Sequence, residues 1–133
     1  MANAQRARAT RDMLFSKKKR SATHEIETTD EHGNPVLVEM LLESISLNEY
    51  DALVTANPPT QAQKKDGATY NLNTFAPALL ARCLVDPALS EDDAKALWNS
   101  EQWNRGELFS LFYKAVEVCN SGVSVGPTDG ESE

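Results

Sequence analysis

Ser46 is followed three residues later by Glu49, Ser90 by Asp93, and Asn104 by Glu107. Each pair is the signature of a helix start, in which the first side chain accepts from the third helical N–H and the acidic one reaches back. Prolines close the intervals: Asn57–Pro58–Pro59 after the first start and Asp86–Pro87 before the second. The residue before a proline is pushed away from α geometry, so helices end there. A chain punctuated in this way can only pack several short helices. Continuous coiled coil is excluded, and neither a heptad run nor an internal repeat is present.

The apolar positions agree with those starts. Leu47, Tyr50, Leu53 and Val54 form one face after Ser46, with Ile45 and Tyr50 placed as a hydrophobic staple. Residues 57–70 are a polar Pro/Gln/Lys/Gly stretch and read as a surface loop. Asn73 or Thr74 is the expected cap of the next helix, lined by Phe75, Leu79, Leu80, Cys83 and Leu84, with Pro77 in its first turn. Ala94, Leu97 and Trp98 face inward from the helix after Ser90. Trp103 and Leu108 flank the Asn104 cap of the last helix. That helix has a polar stripe of Glu107, Ser110, Lys114 and Glu117 opposite a wide arc of Leu108, Phe109, Leu111, Phe112, Ala115, Val116 and Cys119.

Ahead of the helices, Thr23–Thr28 and Val36–Leu42 surround the turn chemistry of Asp30–Glu31–His32–Gly33–Asn34, the pattern of a β-hairpin. Such a hairpin is marginal alone and needs one face on the helices. The expected fold class is therefore mainly α: a small helical domain with an N-terminal β-hairpin and flexible termini. Residues 1–20 form a basic N-terminal segment, 21–121 the hairpin and helices, and 122–133 a disordered acidic tail.

Charge is divided unevenly. Residues 1–20 hold seven basic side chains and Asp12 alone, whereas the whole chain has a net charge of −7. A basic head suits nucleic acid when aromatic residues stack between its charges. This head has Phe15 as its one aromatic residue and the acidic body repels phosphate, so it reads as a solvated leader with a short helix over Ala2–Phe15. The 41% hydrophobic content is too high for wholesale disorder. No apolar run reaches the length of a membrane span, and no h-region follows the basic start, so neither a membrane segment nor a cleaved signal peptide is expected.

Catalytic and metal signatures are equally thin. His24 and His32 lie on the hairpin without a neighbouring Cys, unlike zinc ligands, and read as exposed. Glu91, Asp92 and Asp93 suit a helix N-terminus. Cys83 and Cys119 fall on apolar faces and read as reduced packing residues of a cytosolic protein. No phosphate loop or nucleophile motif occurs. The expectation is a non-enzyme with no cofactor and no metal. The aromatic region of Trp98, Trp103, Phe109 and Phe112 is the candidate partner-binding site. Trp103 and Phe109 lie at the edges of their apolar faces, where a ring can pack inward and still show one side to a partner; Trp98 and Phe112 read first as core.

The order of motifs resembles a known family. Glu49–Tyr50–Asp51–Ala52–Leu53, Pro58–Pro59–Thr60, Tyr70–Asn71, and Thr74–Phe75–Ala76–Pro77–Ala78–Leu79–Leu80 come in sequence. Leu97–Trp98, Trp103 and Gly106–Glu107–Leu108–Phe109–Ser110–Leu111–Phe112 follow. This is similar to the tail assembly chaperones of long-tailed bacteriophages, particularly those of actinobacteria, over about residues 44–121. The resemblance implies a protein that binds the helical tape measure protein and keeps it soluble in the host cytoplasm until the tail tube forms, and that is absent from the finished particle. It also implies a longer frameshifted product, with self-association or that longer form as further partners. A structural virion component, such as a head–tail connector or minor tail protein, is the alternative.

Overall fold

The hairpin turn is built by one carboxylate. Asp30 Oδ1 accepts the backbone N–H of both His32 and Asn34 at 2.9 Å, while Gly33 takes a φ of +82°. These two amide donors hold the exposed Asp30 carboxyl below its ordinary range. Strands β1 (Ser21–Thr29) and β2 (Pro35–Glu43) run antiparallel from this turn, pairing Thr29 with Pro35 through to Ser21 with Glu43. Pro35 stands at the strand entry, where its missing N–H is tolerated. The computed structural model describes residues 6–121. The acidic tail over 122–133, and any flexibility of the extreme N-terminus, lie outside the described residues.

The remaining elements are α1 (Arg11–Phe15), α2 (Leu47–Ala56), α3 (Gln61–Lys65), α4 (Leu72–Cys83), β3 (Leu84–Asp86), α5 (Glu91–Trp98) and α6 (Arg105–Asn120). Strand β3 pairs antiparallel with β2, making a sheet of order β1-β2-β3. The fold is thus α+β, six helices and a three-stranded sheet among the described residues, and the mainly α expectation with a lone hairpin is corrected. The sequence pattern places Leu84 on a helix. It lies instead opposite Leu42 in the sheet, with a register shift at Leu41 and Leu42. Pro87 holds Asp86 extended, and the free edge of β2 offers that extended segment hydrogen-bond partners.

Several helix starts and caps differ from the expectation. Helix α4 begins at Leu72, because Asn71 and neither Asn73 nor Thr74 is the cap. Asn71 is fixed from several sides: its N–H donates to the Asn57 carbonyl at 2.8 Å, and its side chain accepts from the Asn73 N–H and from Gln63. Pro77 therefore sits beyond the first turn, where it costs one helical bond. Thr60 and Gln63 close a capping box that starts α3 inside the segment expected to be loop. Ser46 caps α2, but Glu49 turns toward Arg82 at 3.7 Å and leaves that box half formed. The Ser90–Asp93 and Asn104–Glu107 boxes are complete. Helix α1 is confined to Arg11–Phe15, shorter than the leader helix expected.

Helix α4 is the centre of the molecule. Phe75, Ala76, Pro77, Ala78, Leu79, Leu80 and Cys83 are all buried, so it is covered on nearly every side by α2, α5 and α6. Phe75 stacks on Tyr70 with ring centroids 4.2 Å apart and meets Phe112 of α6 edge-on at 6.1 Å. The inner face of the sheet, with His24, Ile26, Met40 and Leu42, closes the core against α6.

Candidate functional site

Where β2, β3 and α5 meet, the core is incompletely covered. Met40 and Leu84 form a buried floor, and the half-buried Val38, Leu89, Leu97 and Trp103 rise around it. The resulting apolar groove has a volume of about 500 Å³. Each wall comes from a different element: Val38 from β2, Leu89 from the connection after β3, Leu97 from α5 and Trp103 from the α5–α6 connection. Trp103 is held at the rim because Asn104, next in the chain, is locked into its capping box with Glu107. The polar rim is Asp93 and Ser100. Asp93 accepts from the Ser90 backbone N–H at 3.4 Å. An apolar floor with a sparse polar rim suits the recognition of apolar side chains on one face of a helix.

The four aromatic residues singled out from the sequence separate into two places. Trp98, Phe109 and Phe112 form one cluster, with Trp98 stacked on Phe109 at 5.6 Å and edge-on to Phe112 at 6.0 Å. Phe112 is 2% exposed and Trp98 9%, so both are core residues and offer a partner almost nothing. Phe109 is half-buried; the Arg105 guanidinium lies over its ring at 4.1 Å. Trp103 alone reaches the groove. Leu89 and Val38 were not among the candidates. Leu89 becomes a wall only because β3 turns the chain back onto the sheet, and that pairing has no local signal.

Phe109 borders a second depression, more polar, with His24, Ser110, Tyr113, Lys114 and Glu117. His24 is buried against α6, contrary to the expectation of an exposed hairpin residue, with Nε2 3.4 Å from Ser110 Oγ. Its position is explained by parity: His24 shares the inner face of β1 with Ile26. Burial lowers its pKa, and the nearby Lys114 ammonium lowers it further. Lys114 itself pairs with Glu117 at 3.2 Å. His32 is exposed at the turn.

The two thiols meet where α4 and α6 end. Cys83 is buried and Cys119 half-buried, their Sγ atoms 3.5 Å apart. The Cys83 S–H and the Ile45 backbone N–H both stabilise a thiolate on Cys119, drawing its pKa down to about 7, while the same contact and burial push Cys83 well up. No group of three or more His, Cys, Asp or Glu side chains is placed to hold a metal ion among the described residues, and no helix among them is long and apolar enough to cross a membrane. The chain matches no family model, and comparisons with curated proteins and with solved structures give no match either.

Proposed function

We propose that this protein is a tail assembly chaperone of a long-tailed bacteriophage, which binds the helical tape measure protein and keeps it soluble during tail morphogenesis in the host cytoplasm. The observation that carries this reading is the groove walled by Val38, Leu89, Leu97 and Trp103. It supports recognition of a client helix through apolar residues at i, i+3 and i+4, in a shallow site tolerant of many sequences. The net charge of −7 keeps a complex with an apolar client in solution. The role is binding, with no bond made or broken.

The test is co-expression of the client with Trp103→Ala and with Leu97→Ser, each variant first shown by circular dichroism to be folded. The soluble fraction of the client falls with both variants, because Trp is among the interface residues whose truncation most often weakens binding by about 2 kcal/mol or more. A client as soluble with both variants as with the unaltered protein overturns the groove as its site.

A further inference from the structure

Two surfaces of the chain outside the groove are complementary to one another. The first is the basic head. Helix α1 buries none of its residues, and Met13, Leu14 and Phe15 are 49%, 67% and 77% exposed. Arg6 and Arg8 precede it, and the Arg11 guanidinium lies over the Phe15 ring at 4.8 Å. The second is the outer face of the sheet. Leu37, Leu41 and Val85 are exposed there beside Glu25, Glu39 and Asp86, and none of the residues in β1, β2 and β3 is Lys or Arg.

One feature of the second surface has no use within the fold. Glu25 and Glu39 are direct cross-strand partners, and like charges directly opposite one another are destabilising. Their mutual hydrogen bond and repulsion raise the pKa of Glu25. A cationic group laid across the pair removes that cost.

We propose that the outer sheet face is the docking surface for the basic head of a second copy of this chain. Opposite charge and exposed apolar groups coincide on both members: Leu14 and Phe15 flanked by arginines, and Leu37 and Leu41 flanked by glutamates. The chain's own Lys17, Lys18 and Arg20 lie beside Ile45, Cys119 and Asn120 at the end of α6, which leaves its sheet face to another molecule. Donor and acceptor patches differ, so each contact joins the head of one copy to the face of another. It is independent of client binding, and its test contains no client.

Sedimentation velocity on the full chain over a concentration series supplies the test. At about 0.1 M salt the average mass rises with concentration; at about 1 M, where the Debye length falls from about 10 to about 3 Å, association weakens about tenfold or more. Arg8→Glu combined with Arg11→Glu gives a monomer, as does Glu25→Lys combined with Glu39→Lys. A mixture of these two double variants associates again, since the wild-type head of one meets the wild-type face of the other and the reversed head is opposite in charge to the reversed face. A wild-type chain that is monomeric throughout, association surviving in either double variant, or a mixture that does not associate overturns the proposal. If the sheet variant fails to fold, the head variant decides alone, because no α1 residue is buried.

Discussion

Phe112→Ala removes the ring that joins the halves of the core. Phe112 lies 6.5 Å from Tyr70, 6.1 Å from Phe75, 6.0 Å from Trp98 and 5.7 Å from Tyr113, contacts that reach the connection before α4, α4 itself, α5 and its own helix. Truncating a buried Phe costs about 3–5 kcal/mol, the upper part of the range applying where neighbours cannot collapse into the void. Here the neighbours are rings whose positions are set by separate helices, so a loss of about 4–5 kcal/mol is expected. That is a large share of the ~5–15 kcal/mol that keeps a domain folded. For roughly 115 ordered residues each kcal/mol moves Tm by about 3–4 °C, so the melt shifts down by roughly 15 °C. The assay is thermal unfolding followed by circular dichroism, with Tyr113→Ala as the control. Tyr113 is 59% exposed one position along the same helix, and its truncation should cost no more than about 1 kcal/mol. A shift below about 5 °C for Phe112→Ala, or equal shifts for both variants, would refute the placement of Phe112 at the centre of the core.

Two further outcomes concern titration. Because burial and Lys114 lower the pKa of His24, the unfolded chain binds the proton more readily, and stability declines as pH falls below the ordinary value of 6.5 toward the lowered one. Denaturant midpoints fall on acidification through that window and do so less in His24→Gln; a midpoint that rises would contradict the burial of the imidazole. At the other end of α6, alkylation of the native protein by iodoacetamide should modify Cys119 first, with a rate that climbs through about pH 7, and modify Cys83 only after unfolding. Mass-spectrometric mapping that finds Cys83 labelled first would reverse the assignment of the thiolate.

What was legible in the sequence was local. The Asp30–Asn34 turn with its flanking strands, and the caps at Ser46, Ser90 and Asn104, depend on residues a few positions apart and appear where the motifs lie. Apart from the local Thr60–Gln63 capping box, the errors have a different origin. Leu84 pairs with Leu42, Asn71 is tied to Asn57, and Glu49 leaves its capping box for Arg82. Each is decided by a partner distant in the chain, which periodicity does not register. The candidate site divides the same way. Trp103 could be found as an aromatic at the edge of a capped helix, but its partners Val38 and Leu89 become neighbours only through β3. His24 was readable from strand parity once Ile26 was taken as inward, and the lack of a metal-ligand pattern said nothing about its burial.

The pairing of β2 with β3 also sets an order in time. Leu42 and Leu84 enclose about 40 residues, a loop whose closure costs roughly 3 kcal/mol in chain entropy before any contact repays it. On a ribosome adding about 5–20 residues per second, the hairpin emerges and then waits roughly 2–8 s before its third strand exists. The last turn of α6, the helix that covers the inner face of that sheet, comes about 35 residues later still. Throughout this interval Met40 and Leu42 face water on a two-stranded ribbon that is marginal by itself. The glutamates on its opposite face are already in place, so the nascent hairpin carries its own electrostatic guard against edge-to-edge pairing with other new chains until α6 arrives to cover it.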